Sequence, residues 1–158
     1  MDLEAKKKVL RMIPYGMFVI GVHSATEVNA YTADWVTQSS FDPPLVVICC
    51  KKGTISNQMI RDSKVFSVNV LDAGQKEMAA HFVKPMKNVG NKFGHVEYHT
   101  EKTGCPILRD SLGFFECDVV DINDAGDHSI VIGKVINAGV HREGEPLLLR
   151  STGWHYGG

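Results

Sequence analysis

Two adjacent prolines, Pro43 and Pro44, divide the most constraining stretch of this chain, residues 29–54. Before them runs a hydroxyl-rich ribbon, N-A-Y-T-A-D-W-V-T-Q-S-S-F-D. After them comes a continuous apolar run, L-V-V-I-C-C, and then K-K-G-T. Proline cannot donate to a β-ladder, so the pair ends the ribbon. An apolar run this short, bounded by turn formers, reads as a buried strand. A polar ribbon, a buried strand and a cationic turn therefore follow one another within a few dozen residues.

The rest of the chain continues in strands. Residues 16–23 are apolar and β-branched, 24–27 form a turn, and 28–37 read as the next strand, giving an early hairpin. Asp2 caps a first helix over 3–12, and Thr54 caps a short one to 61. Residues 65–71 alternate as a strand. Asp72 precedes a second helical stretch on which Met78, Ala79 and Phe82 share a face. Pro85, Gly90 and Gly94 mark 84–94 as a functional loop or lid. Further strands fall at 114–122, 129–140 and 146–149, with 123–127 separating the first two. Strands outnumber helices, and short turns imply antiparallel neighbours. Closure hides so many edges best, so the expectation is a mainly β fold, a β-barrel with a few short helices, in one domain over 1–158.

Charge and cysteine usage exclude several classes. A net charge of -1 leaves no basic excess for nucleic acid. Lys6 to Lys8 and Arg11 ahead of an apolar stretch imitate a secretory leader, but Pro14-Tyr15-Gly16 breaks that stretch. The reading is a surface helix followed by a core strand. No run approaches the roughly 20 apolar residues that span a bilayer, so no membrane role is expected. Cys49, Cys50, Cys105 and Cys117 form no C-x-x-C pair and read as free thiols of a reducing cytoplasm. His95 and His99 are four apart, but the Val-Glu-Tyr between them favours strand or loop, and no metal site is expected.

Three groups could carry chemistry. Lys51, Lys52, Gly53 and Thr54 lie where a strand ends and a helix starts, a place that favours anions. A solvated turn with a helix cap explains the same residues. The hydroxyls of residues 32–40 could hydrogen-bond a flat ring that Trp35 fences, although such residues are common at strand ends. Gly126-Asp127-His128 puts a histidine at a strand start, able to donate to or polarise a ligand near neutral pH, or to sit in a plain turn. There is no G-x-G-x-x-G after a strand, no phosphate-binding P-loop and no G-x-S-x-G elbow.

N-A-Y-T-A-D-W-V-T-Q-S-S-F-D-P-P and G-D-H-S-I-V-I-G-K-V, in this order, resemble the flavin reductase-like family. The closing L-R-S-T-G-W-H-Y-G-G is similar to flavin reductase domains joined to rubredoxin or flavodiiron proteins. The resemblance implies an FMN-binding split barrel of antiparallel, Greek-key type, working as a homodimer with FMN near its interface. Asn29, Thr32, Ala33, Asp34, Trp35, Thr37 and Ser40 would line the isoalloxazine and ribityl chain. Lys51, Lys52, Gly53 and Thr54 would hold the phosphate. His128 would meet the nicotinamide or a second flavin, and Phe82, Lys92, Trp154 and Tyr156 would complete the site. Asp34 departs from the family's usual Ser or Asn, and a carboxylate there raises the cost of an anionic reduced flavin. The implied activity is NAD(P)H-dependent flavin reduction. The alternative is a non-catalytic FMN electron carrier fed by a rubredoxin- or ferredoxin-type partner.

Overall fold

The computed structural model describes residues 1–84 and 86–158; Pro85, part of the expected 84–94 loop, lies outside the described residues. Asp2 accepts from the amides of Glu4 and Ala5 and so caps α1 (Leu3–Leu10), which buries none of its residues. Strands β1 (Phe18–His23) and β2 (Val28–Ala33) form the expected hairpin. The ribbon then breaks at Asp34-Trp35. It resumes as β3 (Val36–Ser40), which turns through Pro43-Pro44 into β4 (Leu45–Lys51).

Thr54 caps α2 (Ile55–Ser63), followed by β5 (Val65–Val70) and the short α3 (Lys76–His81). Four short strands come next: β6 (Asn88–Val89), β7 (Lys92–Phe93), β8 (Val96–His99) and β9 (Ile107–Leu108). Two long strands, β10 (Gly113–Asn123) and β11 (His128–Val140), precede α4 (Leu149–Thr152). The expected strand at 146–149 is not one. Its residues make only isolated bridges, Gly16 with Leu148 and Asp72 with Pro146, before the chain turns into α4.

The large sheet is antiparallel, in the order β2-β1-β5-β10-β11-β4-β3. Its two edge strands, β2 and β3, are consecutive in sequence. Only Asp34 and Trp35 separate them, so the sheet must curl until its edges nearly meet. That is why residues 28–37 are two strands and not the single strand expected. The Trp35 carbonyl accepts from the Cys49 amide at 3.1 Å and pins this seam to β4.

Both faces of the curled sheet are buried. Val19 and Ile20 are adjacent and fully buried, yet they enter different cores. Inside the barrel, Ile20 packs with Ile48, Phe66, Val68 and Val131, and α2 closes one end with Met59 and Ile60. Outside, Val19 packs with Leu71, Ala79, Phe82 and Phe93 beneath α3 and the short strands. Gly133 is required because a Cβ there would lie 2.5 Å from the Phe66 ring. No helix among the described residues is long and apolar enough to cross a membrane.

Candidate functional site

The seam, the end of β4 and the start of β11 converge on one mouth of the barrel. Register places His128 opposite Lys51 across the β11–β4 ladder. The Trp35 ring lies tilted against the His128 ring at 4.9 Å and edge-on to Tyr156 at 5.3 Å. His128 Nδ1 is 2.9 Å from an Asp127 carboxylate oxygen and Nε2 is 2.8 Å from the Tyr156 hydroxyl. A ring bonded on both nitrogens is held in one orientation. The His128 bond, and then its charge, hold the Asp127 carboxyl below its ordinary range. Burial, then the carboxylates of Asp34 and Asp127, push the Tyr156 hydroxyl up.

At the seam Asp34 is buried at 7% exposure, and its Oδ2 has no partner. Burial raises its carboxyl; the backbone amides of Asp34 and Trp35, and then His128, offset part of that rise. The Trp35 indole N–H and the Tyr31 hydroxyl are buried and unpartnered as well. Burial and then the Asp34 charge raise the Cys49 thiol on the neighbouring strand.

Beside them lies the K-K-G-T turn. Gly53 adopts φ +74, open to a residue without Cβ, and nothing lies within 4 Å of where a Cβ would be. Thr54 Oγ1 accepts from the Asn57 amide at 3.2 Å and donates to the Lys51 carbonyl at 2.8 Å. Among the described residues the amides of Ile55 and Ser56 have no chain acceptor, so they face outward at the positive end of α2. The two lysines differ. Lys52 Nζ donates to the Asp124 carbonyl and lies 4.0 Å from its carboxylate, whereas Lys51 is exposed beside the mouth. Arg61 binds the same Asp124 carboxylate at 2.5 and 2.7 Å and Ser129 at 2.9 Å, tying α2 to the β10–β11 turn.

Not every expected residue joins the mouth through its side chain. Thr32 donates to the Ala79 carbonyl at 2.6 Å, and its amide bonds the Phe82 carbonyl. Phe82 itself is fully buried against Phe93 in the outer core. Asn29 donates to Ser56 at 3.0 Å, linking β2 to α2. Lys92 pairs with Glu97 on the small sheet at 2.5 Å. Trp154 packs against the outer core under Lys76, so Tyr156, two residues on, is the aromatic that reaches the mouth. Thr37 and Ser40 follow the seam along β3, and Ala33 is buried at its end. A groove of about 630 Å³ begins at Asn29 and Ile55, beside the cradle, and runs past Lys87. Tyr31, Cys49 and Asp124 were not anticipated. Tyr31 alone had a signal, since it stands inside the ribbon.

The mouth offers buried, unpaired hydrogen-bonding groups for a flat polar ring and, next to them, an anion cradle. The flavin reductase like domain family matches residues 10–157. A protein of Rhizobium meliloti named "Probable flavin reductase" is 35% identical over 127 residues, 77% of this chain and 40% of that protein. Diflavin flavoprotein A 1 of Synechocystis sp. is 31% identical over 140 residues, 88% of this chain and 24% of that protein. The chain thus spans less than half the length of either. The crystal structure of the NADH:FAD oxidoreductase of Streptomyces globisporus C-1027 superposes with a TM-score of 0.81 at 30% identity. It covers 94% of this chain and 90% of that one, and a second structure of it holds NAD and FAD fragments. By its split-barrel fold and the length of the match, the chain belongs to the flavin reductase like domain family.

Proposed function

We propose that the chain is an NAD(P)H-dependent flavin reductase that binds FMN at this mouth. The observation that carries the reading is the clustering of Tyr31 Oη, Asp34 Oδ2 and Trp35 Nε1, all buried and unpaired, beside the outward amides of α2. Such groups are costly to bury unless a ligand completes them. Flavin supplies the chemistry when bound, accepting a hydride and passing electrons on. The chain's part is to bind, orient and exclude water. Lys51, Gly53 and the start of α2 hold the phosphate. The seam residues Asp34 and Trp35 meet the ring, and Trp35 covers it. His128, held by Asp127 and Tyr156, positions the nicotinamide and needs no proton transfer of its own. His128→Ala should therefore raise the KM for NAD(P)H more than it lowers kcat.

We infer a homodimer from the apolar groove of Phe18, Val36, Leu45, Phe115 and Val135 and from nearby Phe41, 88% exposed. Four free cysteines suit a reducing cytoplasm. The test is an absorbance spectrum with FMN, followed by anaerobic stopped-flow mixing with NADH and NADPH. Rapid bleaching by either is the expected result. If the flavin binds but bleaches only with reduced rubredoxin, the chain is an electron carrier. If FMN does not bind, the reading fails.

A further inference from the structure

Among the described residues four buried side-chain polar atoms lack a partner, and three of them belong to Tyr31, Asp34 and Trp35. Asp34 is the one that can ionise within the working range of most proteins. It makes no ion pair among the described residues. The titratable groups that face it are His128 from β11, Cys49 from β4 and Tyr156 from the closing segment. Burial raises the Cys49 thiol and the Tyr156 hydroxyl, so both are neutral near pH 7. His128 bonds Asp127, 2.9 Å away, and offsets only part of the rise that burial imposes on Asp34. Among the described residues no lysine or arginine pairs with Asp34, and a flat ring laid over the seam would remove what water still reaches it. Burial and the missing counter-charge favour the acid over the carboxylate, against the smaller pull of His128 and the backbone amides.

We propose that Asp34 meets the bound flavin as a neutral carboxylic acid, donating from Oδ2 to a ring acceptor, so that flavin binding draws a proton from solvent. This rests on the flavin reading of the mouth. The balance is simple: one proton passes from water to the Asp34 carboxylate, and no bond of the ligand changes. An ionised Asp34 would repel negative charge arriving on the ring with the hydride, whereas the acid donates to it. Linkage sets the pH dependence. Binding tightens as pH falls and weakens as it rises, by at most about tenfold per pH unit, between the Asp34 values of the free and bound states.

The experiment is calorimetric titration of FMN into the full chain, in buffers of different ionisation enthalpy, across acid to neutral pH. Asp34→Asn has the shape of the acid and cannot ionise. The wild type should take up a proton and lose affinity with rising pH, and Asp34→Asn should lose that part of both. The FMN phosphate is common to both titrations and cancels in the comparison. Infrared difference spectra of the wild type should show a protonated carboxyl band on FMN addition, which keeps the test independent of how the variant folds. Equal proton uptake and pH slope in the two proteins, or a wild-type complex without that band, would overturn the proposal. Thr54→Asp separates the two levels. If it weakens FMN binding while Asp34→Asn tracks the wild type, the site stands and only this inference fails. If neither substitution changes FMN binding, the flavin reading of the mouth fails first.

Discussion

Replacing Thr54 by aspartate pulls apart two roles that one turn combines. Thr54 Oγ1 accepts from the Asn57 amide and so caps α2, and it donates to the Lys51 carbonyl. Aspartate is at least as good an N-cap as threonine, so Thr54→Asp should hold apo stability within about 0.5 kcal/mol. Thr54→Ala loses the cap at about 1 kcal/mol, which is about 2–4 °C in Tm for a chain of this size. Binding should move the other way. A new carboxylate about 5 Å from a phosphate dianion is repelled by about 1.7 kcal/mol even with water-like screening. That is about 20-fold in Kd, and more where the protein screens less. Thr54→Ala should cost only a few-fold, through a frayed helix start. Apo melting curves and FMN fluorescence titrations measure the two effects, with riboflavin as the ligand that lacks the phosphate. If Thr54→Asp melts like the wild type and binds FMN within twofold of it, the K-K-G-T turn is a helix cap and no cradle. Equal losses for FMN and riboflavin would refute the charge argument as well.

Lys51→Ala should weaken FMN binding about tenfold and Lys52→Ala two- to threefold, because Lys52 is already engaged by Asp124; equal effects would refute that division. Glu116 is fully buried and accepts from the Lys102 and Thr103 amides, the Thr103 hydroxyl and Asn137. Burial pushes its carboxyl up, but these hydrogen bonds outweigh it and hold it below its ordinary 4.5. Its stabilisation is therefore present above that value and lost as pH falls through the lower folded one. Glu116→Gln should cost about 2–4 kcal/mol in urea unfolding at neutral pH and lessen the acid dependence, since donors then face donors; wild-type stability would contradict this. Gly133→Ala should cost about 1–3 kcal/mol by forcing a Cβ against Phe66, and a neutral result would mean that the barrel interior yields there.

The expected features that rest on neighbouring residues are where the structure has them. Thr54 and Asp2 cap helices because a cap needs only the next three amides. Residues 45–50 form a strand because a short apolar run between turn formers has few other uses. His128 opens β11 as its place after Gly126-Asp127 suggests. Features that rest on distant partners differ. Residues 146–149 have the composition of a strand, but among the described residues they make only single bridges, to Gly16 and Asp72, and no ladder. Phe82 and Trp154 were expected at the ligand, yet both pack into the outer core, which residues far along the chain build. Lys52 looked equal to Lys51 until a turn 72 residues away supplied Asp124.

By itself, the order of residue types determined a β-rich chain with a polar ribbon, an anion-favouring turn and a histidine at a strand start. Those are consequences of local sterics, capping and alternation, which act over a few residues. Only the tertiary structure decided that the ribbon breaks at Asp34-Trp35. The break exists because the two edges of a curled sheet must meet, and that geometry belongs to the whole sheet. The same closure buries Asp34 without a partner and brings Tyr156 onto His128 from 28 residues away. Burial and long-range contact, which no stretch of sequence encodes alone, turn a hydroxyl-rich ribbon into a site.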